Sequence, residues 1–371
     1  MTPELLDIVE RVRDAGARKA GLDIRGGGTK AFYGGLPQGE PLDVTPLAGI
    51  SSYEPSELVV TVMAGTPVAA LESALAECGQ CLPFEPPRFG AAGQGSESAP
   101  LRGTVGGMVA AGLAGPARAA VGGVRDYVLG ATLLNGRAEL LHFGGTVMKN
   151  VAGYDVSRFL AGSMGFLGVI CEVSLKVLPR PAATQTLRLE ANAAQAVRKL
   201  GEWRSQPLPL NASAWWDGAL VLRLSGAEAA VRAACSRIGG EVIEPGLAHA
   251  FWTGLRDHSD EFFIGAARAV EGGATLWRLS VPATTLPLKL SGEQLIEWGG
   301  AQRWICTSAP AAVLRDVAAA VGGHAVMFRG ADRSTGAFVP LKPPLDRIHR
   351  ELKKSFDPDG IFNHGRLVPG L

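Results

Sequence analysis

Two glycine-rich clusters are the residues whose types and spacing could do chemistry. Arg25 to Lys30 reads Arg-Gly-Gly-Gly-Thr-Lys, and Gly103 to Gly107 reads Gly-Thr-Val-Gly-Gly. Glycine leaves backbone N–H groups uncovered, and Thr29 and Lys30 add a hydroxyl and a cation, so these loops suit a phosphate or diphosphate. One glycine-rich turn is more often structural than ligand-binding. Two such loops in one region favour a diphosphate that lies between them.

Two further glycine-containing stretches follow. Gly122-Gly-Val-Arg-Asp126 comes soon after the second cluster, and Gly162-Ser-Met-Gly-Phe-Leu-Gly168 leads into a predicted alternating strand from Val169 to Val177. The uncovered backbone before this strand could pair with the edge of a flat ring. None of the clusters is a Walker A loop or a GxGxxG fingerprint, so a nicotinamide-dependent dehydrogenase fits least well.

Side chains that could act as acid, base or metal ligand are sparse. Arg278 could bind a carboxylate in a bidentate way, and a solvent-facing strand residue fits its pattern equally well. The closest histidines, His249 and His258, are nine positions apart and give no ready ligand pair, so no metal site is predicted. Cys78 and Cys81 form a CxxC that we interpret as structural, and the five scattered cysteines supply no iron–sulfur run.

The composition is typical of a globular protein with more than one domain. The chain has 371 residues, of which 47% are hydrophobic and 19% charged, and its formal net charge is +1. These values exclude a disordered chain and argue against nucleic acid as the main partner. No uncharged stretch reaches the roughly 20 apolar residues of a membrane span, and the acidic start lacks a signal-peptide pattern. We therefore expect a cytoplasmic protein with free thiols.

Periodic patterns predict the elements that position the glycine loops. Thr2 and Pro3 begin an amphipathic helix, and a short strand beginning at Leu22 runs into the first loop. Residues 58–64 form a β-branched strand that leads into a second helix. Asn135-Gly136, between two apolar runs, predicts a β-hairpin.

The composition changes at Pro179 and Pro181, where we place a domain boundary. All seven tryptophans lie beyond it, between Trp203 and Trp304. Residues 184–243 read as strand, helix, two-stranded hairpin, helix and strand, and several of their features recur 82 or 83 positions later. This spacing predicts an internal duplication of a βαββαβ unit, with chance recurrence in an Ala- and Gly-rich chain as the alternative.

Several sequence motifs occur in an order that is specific to one superfamily. They are RGGGTK, YEPSELVVTVMAGT, LPFEPP, GTVGGMVAAGLAGP, VRDYVLG, KNVAGYDVSRFLAGSMGFLGVICEVSLKVLPRP and FDPDGIFNHGRLVPG. This series, over residues 22–180 and 356–370, resembles the FAD-binding domain of the vanillyl-alcohol oxidase and p-cresol methylhydroxylase superfamily. Within the superfamily, the motif that ends at Pro181 is most similar to the FAD-binding E subunits of bacterial glycolate oxidases.

The resemblance implies an α+β fold, with a two-subdomain FAD-binding domain of the p-cresol methylhydroxylase type and an α+β cap. The FAD-binding domain is expected at 1–180 and the cap at 181–325. The rest of the chain, residues 326–371, is expected to return to the FAD-binding domain. FAD is expected to be non-covalent, because the first loop has neither His nor Cys. The glycine loops and the resemblance together assign to cofactor binding Arg25, Gly26, Gly27, Gly28, Thr29, Lys30, Gly103, Thr104, Val105, Gly106, Gly107, Asp126, Gly168, Val169, Ile170 and Arg366.

For function, the resemblance implies a subunit of a glycolate oxidase complex, in which electrons from glycolate pass through flavin to an iron–sulfur partner. A D-type flavoprotein subunit and an iron–sulfur subunit are the expected partners, in the cytoplasm or peripheral to the inner membrane face. The alternatives are a self-sufficient FAD-linked enzyme for a small 2-hydroxy acid, and a non-catalytic subunit that holds FAD for assembly. Arg278 and Asn363 are the predicted catalytic residues.

Overall fold

The computed structural model describes residues 1–90, 102–145 and 155–371. Its Cα positions group into two compact units. Unit 1 consists of Met1–Leu113, Gly123–Pro179 and Pro340–Leu371, and unit 2 of Ala114–Gly122 and Arg180–Val339. Relative to the bounds expected from the sequence, unit 2 also includes residues 114–122 and extends to Val339.

Helices and strands are interleaved through both units, in an α+β fold. None of the helices in the described ranges is long and apolar enough to cross a membrane. The α-helices are α1 (Pro3–Arg18), α2 (Val68–Glu77), α3 (Val105–Ala111), α4 (Arg118–Val121), α5 (Val156–Phe159), α6 (Ala193–Arg204), α7 (Glu228–Ile238), α8 (Pro245–Asp257), α9 (Glu261–Glu271), α10 (Ala311–Ala320) and α11 (Leu345–Phe356). The strands are β1 (Leu22–Arg25), β2 (Glu40–Asp43), β3 (Ile50–Glu54), β4 (Val59–Met63), β5 (Gln80–Cys81), β6 (Val128–Leu134), β7 (Leu140–Gly144), β8 (Val169–Lys176), β9 (Leu178–Pro179), β10 (Ala183–Glu190), β11 (Leu210–Trp216), β12 (Ala219–Gly226), β13 (Glu241–Ile243), β14 (Thr275–Ser280), β15 (Glu293–Glu297), β16 (Gln302–Thr307) and β17 (His324–Arg329).

The first helix has its predicted start. Thr2 Oγ1 accepts the N–H of Leu5 at 3.4 Å, and Pro3 occupies the first helical position, where no backbone donor is needed. Ile8, Val9 and Val12, at helical spacing, are buried. Their side chains pack in the core from which β1 emerges.

Unit 1 is built on a five-stranded antiparallel sheet in the order β3-β4-β8-β6-β7. The predicted alternating strand is β8, whose side chains alternate between the two faces of the sheet. Val169 and Cys171 pack in one core with Leu22 of β1 and Leu42 of β2. The parallel pair β1–β2 is therefore fixed by that core up to the point where the first glycine loop begins.

The predicted hairpin around Asn135-Gly136 is present, and its connection is longer than a two-residue turn. Leu134 pairs with Leu140, so the loop has five residues and its left-handed residue is Ala138, at φ 58°. Asn135 Oδ1 organises this loop by accepting two backbone N–H groups. Gly136 donates its N–H to Phe356 O at 2.9 Å, and glycine is required there because a Cβ would lie 2.5 Å from Asp357 Oδ1.

Unit 2 contains an eight-stranded sheet in the order β13-β10-β12-β11-β15-β16-β14-β17. The order is symmetric, since β10, β11, β12 and β13 occupy the same places in one half as β14, β15, β16 and β17 in the other. Because β17 belongs to this sheet, the expected boundary at residue 325 would have cut through a strand.

The two halves differ in one helix. The first half has the predicted order strand, helix, hairpin, helix and strand, with α6 and α7. The second half has α10 in the place of α7, but residues 281–292 connect β14 to β15 without a helix. The prediction of a second complete βαββαβ copy is therefore wrong at this connection. Pro282 and Pro287 lie within it, and proline interrupts a helix.

Candidate functional site

The first glycine loop opens onto a cavity of about 250 Å³ in unit 1. The lining combines residues that the sequence analysis assigned to cofactor binding or catalysis with residues to which it gave no role. From the prediction come Arg25, Gly26, Gly27, Gly28, Thr29, Lys30, Thr104, Gly106, Gly107, Gly168, Ile170, Asn363 and Arg366. The other lining residues are Asp23, Ile24, Ala31, Pro37, Val44, Ala110, Ala111, Met164 and Gly165.

Uncommitted backbone N–H groups are the main chemical feature of this cavity. Within the described ranges, the N–H groups of Gly26, Gly27, Gly28 and Thr29 donate no hydrogen bond to another protein group. The ammonium of Lys30 lies beside them, 3.5 Å from Thr29 Oγ1. Successive free N–H groups in a glycine turn form a concave anion site. The loop thus has the donors that a diphosphate requires.

The three glycines of this loop serve different purposes. A Cβ at Gly26 would lie 2.2 Å from Thr104 Oγ1, and one at Gly27 would lie 1.5 Å from Arg102 O. These two glycines therefore let the two glycine loops approach each other. Gly28 has a φ of +68°, and a Cβ there would meet no protein atom within 4 Å. Of the three, Gly28 is the one whose missing side chain leaves open space beside the cavity.

The second glycine loop is a structural support as much as a ligand surface. Thr104 caps α3, and its Oγ1 accepts the N–H of Gly107 at 3.3 Å. The N–H groups of Val105 and Gly106 donate to Thr66 O and Ala64 O. Those two donors are used within the fold, so they are not available to the diphosphate that was expected to draw N–H groups from both loops.

Not every assigned residue of the second loop reaches the cavity. Gly103 and Val105 are absent from the lining formed by the described residues. Gly103 adjoins the first loop, because a Cβ there would lie 3.7 Å from Thr29 Oγ1. Val105 is fully buried.

Asn363 and Arg366 reach the cavity from the C-terminal end of the chain. Asn363 Oδ1 accepts the N–H of Ile24 at 2.7 Å, and its Nδ2 donates to Met164 O at 2.6 Å. Arg366 Nη1 donates to the carbonyls of Ala31 at 3.1 Å and Gly35 at 2.5 Å. Both side chains therefore hold cavity walls. Since both ends of the Asn363 amide are engaged, the geometry favours a positioning role for it over the predicted catalytic one.

Three other assigned residues lie elsewhere. Val169 faces the core of unit 1 rather than the cavity, whereas its neighbours Gly168 and Ile170 line the cavity. Asp126 is exposed, and its carboxylate accepts the N–H of Gly123 in a 3-10 turn at 2.8 Å. Arg278 lies on β14 of unit 2, with its guanidinium 5.8 Å from the ring of Phe328.

The charges on the cavity wall are mainly positive. The ionisable lining residues are Arg25, Lys30 and Arg366 against one carboxylate, Asp23, which forms an ion pair with Arg25. Asp23 is almost fully buried, whereas half of the Arg25 side chain is exposed. A cavity with an excess of cations and free N–H groups attracts a multiply charged anion.

The histidines do not form a metal site. Among the described residues, no group of three or more His, Cys, Asp or Glu side chains is placed to hold a metal ion. His258 is partly buried in unit 2 and stacks on Phe263, with ring centroids 3.6 Å apart. Burial lowers the pKa of His258 well below its usual range, and the charges of Arg329 and Arg278 lower it further. This imidazole is therefore neutral at physiological pH.

The residues that sequence reasoning missed are those that act through the backbone. Ile24 and Met164 contribute an N–H and a carbonyl to Asn363. Gly165 belongs to the third glycine stretch, and a Cβ there would lie 2.3 Å from Asn363 Nδ2. The available signals were the position of Ile24 just before the first glycine loop and the position of Met164 and Gly165 within the glycine-containing stretch 162–168.

The comparisons with known proteins agree with this geometry. A family model described as "FAD binding domain" matches residues 4–144. The glycolate oxidase subunit GlcE of Escherichia coli (strain K12) is 45% identical over 364 residues, which cover 98% of this chain and 97% of that protein. The chain belongs to the GlcE family. As a family member it is a FAD-binding flavoprotein of an oxidoreductase family, which confirms the cofactor expected from the sequence.

More distant relatives match parts of the chain. The glycolate oxidase subunit GlcD of Bacillus subtilis (strain 168) is 36% identical over 84 residues, 23% of this chain and 18% of that protein. A D-lactate dehydrogenase of Anaerostipes hadrus is 30% identical over 161 residues, 43% of this chain and 30% of that protein. The solved structure of an alkyldihydroxyacetonephosphate synthase aligns with a TM-score of 0.67 and 15% identity, over 96% of this chain and 75% of that chain. That likeness confirms the fold.

Proposed function

We propose that this chain is the FAD-binding subunit of a complex that oxidises glycolate to glyoxylate and passes the electrons through flavin to an iron–sulfur partner. The observation that carries the proposal is the 45% identity to a glycolate oxidase subunit over 98% of the chain. The partial match to a GlcD subunit supports a D-type flavoprotein as a second partner. We place the complex in the cytoplasm.

The cavity of unit 1 is the proposed FAD site. Gly26, Gly27, Gly28 and Thr29 would hold the diphosphate through their free N–H groups, and Lys30 would balance its charge. Bound FAD supplies the redox chemistry, by accepting and releasing electrons at its ring. The chain itself orients the cofactor without a covalent bond. Gly168 and Ile170, which line the same cavity, are proposed to face the ring.

A self-sufficient enzyme for a small 2-hydroxy acid is the second candidate. It is favoured by the matches to relatives named D-lactate dehydrogenase and D-2-hydroxyglutarate dehydrogenase, over 43% and 35% of this chain. In this case Arg278 would bind the substrate carboxylate through its planar guanidinium. A subunit that holds FAD only for assembly is the remaining alternative.

The visible absorption spectrum of the chain purified alone, before and after anaerobic glycolate, tests the proposal. We expect a flavin band that glycolate leaves oxidised, and that bleaches once a D-type subunit is added. Bleaching in the isolated chain would favour the self-sufficient enzyme. Unchanged activity of the whole complex after the flavin site of this chain is disabled would favour the assembly subunit.

A further inference from the structure

We propose that Lys353 is a positioning residue for the cofactor cavity. It acts through the C-terminal segment, which we define as residues 353–366. Lys353 is not among the described residues that line the cavity. The inference rests on the placement of FAD proposed above.

Lys353 joins the C-terminal segment to one cavity wall. Its Nζ donates to Phe166 O at 2.9 Å and to Phe362 O at 2.7 Å, and lies 4.8 Å from the centre of the Phe166 ring. Phe166 stands between two cavity-lining glycines, Gly165 and Gly168. One ammonium group therefore holds both the wall and the segment.

A buried carboxylate completes this arrangement. Asp357 Oδ2 lies 2.7 Å from Lys353 Nζ, and the residues Lys353 and Asp357 are only 5% and 1% exposed. The two carboxylate oxygens of Asp357 also accept the N–H groups of Ile361 at 3.0 Å and Phe362 at 2.9 Å. The ion pair thus fixes the turn that sends the segment back along β1.

The segment then connects two cavity walls that are far apart in sequence. The Asn363 N–H donates to Leu22 O at 2.9 Å, beside the first glycine loop. The Asn363 side chain bridges Ile24 N–H on that wall and Met164 O on the other. The distance between the walls therefore depends on the C-terminal segment, and the segment depends on the Lys353–Asp357 pair.

Removing the ammonium has a predictable physical effect. The Asp357 charge would remain buried without its partner, and the carbonyls of Phe166 and Phe362 would lose a donor. The wall from Met164 to Gly168 would then relax away from its position. A cofactor that contacts both walls would bind more weakly.

The substitution Lys353→Met tests this effect, with Lys354→Met as the matched control. Lys354 is the next residue on α11 and is exposed. Stepwise dilution of the FAD-loaded full chain, with released FAD read by its fluorescence, gives the Kd for FAD. We expect Lys353→Met to raise this Kd at least tenfold and Lys354→Met to change it by less than twofold. A Kd for Lys353→Met within twofold of the unmodified chain would overturn the proposal.

A glycine pair tests a second contact between the same cavity wall and the C-terminal segment, that of Gly165 with Asn363. Gly165 and Gly162 both have left-handed φ values, +74° and +83°, so alanine is strained equally at each. A Cβ at Gly165 would lie 2.3 Å from Asn363 Nδ2, whereas one at Gly162 would meet nothing within 4 Å. We expect Gly165→Ala to weaken FAD binding at least tenfold and Gly162→Ala to leave it within twofold. If Lys353→Met does not fold, the Kd values of Gly165→Ala and Gly162→Ala test whether the cavity wall must stay in contact with the C-terminal segment. Equal effects of the two alanines would overturn the proposal.

Two readouts separate positioning from a general loss of stability. At saturating FAD, the visible circular dichroism of the flavin is expected to change in Lys353→Met, because the wall has moved. The double variant Lys353→Met, Gly165→Ala is expected to raise the Kd by less than the product of the single effects, because both displace the same wall from the C-terminal segment. An unchanged flavin spectrum together with a fully multiplicative double variant would overturn the positioning role. Neither result bears on glycolate-dependent reduction in the complex, which tests the proposed function separately.

Discussion

At the scale of single residues, the three glycines of the first loop show that the same residue type can be required for different structural reasons. Gly26 and Gly27 are required because protein atoms occupy the space where a side chain would be. Bulky substitutions there would disrupt the contact between two loops, whether or not a cofactor binds. Gly28 is different, because only a ligand would compete with a side chain at that position.

Gly28→Asn therefore gives a selective test of the diphosphate site. Asn tolerates a left-handed φ better than most residues, so the loop keeps its conformation while the side chain enters open space. We expect the Kd for FAD to rise at least tenfold, with an unchanged melting temperature of the FAD-free chain.

Gly218→Asn is the matched control for this test. Gly218 has a φ of +78° and open space around its Cβ, but it lies at a hairpin in unit 2. We expect no change in FAD binding. An equal loss of FAD in both variants would contradict the assignment of the first loop.

Asp260 provides a pH-dependent prediction in unit 2. Burial raises its pKa from 3.8 to about 6, and its carboxylate caps α9 by accepting the N–H of Phe263. The folded chain thus binds this proton more tightly than the unfolded chain between those pH values. The contribution of Asp260 to the free energy of unfolding consequently falls as pH rises from 4 to 6.

Asp260→Asn removes this titration and keeps the cap. Relative to the unmodified chain, the variant is expected to gain stability as pH rises from 4 to 7, by up to about 3 kcal/mol. Urea unfolding followed by tryptophan fluorescence measures the difference at each pH. A difference that does not depend on pH would show that the Asp260 pKa is not raised.

The site residues were predictable from the sequence where their binding groups belong to one short stretch of chain. The free N–H groups of residues 26–29 follow from the glycine pattern, as does the hydroxyl of Thr29. The engagement of Asn363 with Ile24 and Met164 was not predictable, because those partners are 339 and 199 positions away in the chain. Only the resemblance to a family placed Asn363 near the cavity.

At the scale of elements, the two halves of the unit 2 sheet show how a missing helix changes the residues beneath it. Leu220 of β12 pairs with Trp215, and Arg303 of β16 pairs with Ile296, at equivalent places in the two halves. Leu220 packs in an apolar cluster with residues of α6. In the other half, Arg303 is 1% exposed and donates to Gly300 O at 2.9 Å and Thr285 O at 2.6 Å. The guanidinium thus binds one carbonyl of the connection that replaces the helix, that of Thr285, and one of the turn between β15 and β16, that of Gly300.

Arg303→Leu is expected to destabilise unit 2, although leucine is native at the equivalent position. Two carbonyls would lose their donor, at a cost of about 1–3 kcal/mol in the free energy of unfolding. Urea unfolding measures the change, with the exposed Arg237→Leu of α7 as a control expected to stay within about 0.5 kcal/mol. Equal or greater stability of Arg303→Leu would show that burying its charge costs more than its hydrogen bonds contribute.

Regular elements were predictable from periodicity, and their exceptions were not. The alternation of Val169 to Val177 predicted β8, because each face of the strand meets a different environment. The Asn135-Gly136 pair predicted the hairpin correctly, but the contact of Gly136 with Phe356 and Asp357 was not visible in the local sequence. The sequence did not reveal that residues 281–292 form no helix, because the features that recur lie on either side of this connection.

At the scale of the whole molecule, each unit has its own spectroscopic signal, tryptophan fluorescence for unit 2 and bound flavin for unit 1. All seven tryptophans lie between Trp203 and Trp304, in unit 2, and the proposed FAD site lies in unit 1. A ligand stabilises the unit that it binds by mass action. Added FAD is therefore expected to raise the temperature at which flavin is released by several degrees, and to leave the tryptophan-detected transition within about 1 °C. Thermal scans with both signals, at two FAD concentrations, check this, and a joint shift of both transitions would contradict it.

The symmetry of the eight-stranded sheet has an evolutionary consequence. Its two halves meet where β11 pairs with β15, antiparallel, through Ala214 with Glu297 and Trp215 with Ile296. Antiparallel pairing of equivalent strands is the arrangement that a two-fold axis produces between identical subunits. A shorter ancestor with a single four-stranded half could therefore have built the same sheet as a homodimer. Joining two gene copies would have freed one half to lose its helix and acquire Arg303, a change that identical subunits could not make in only one partner.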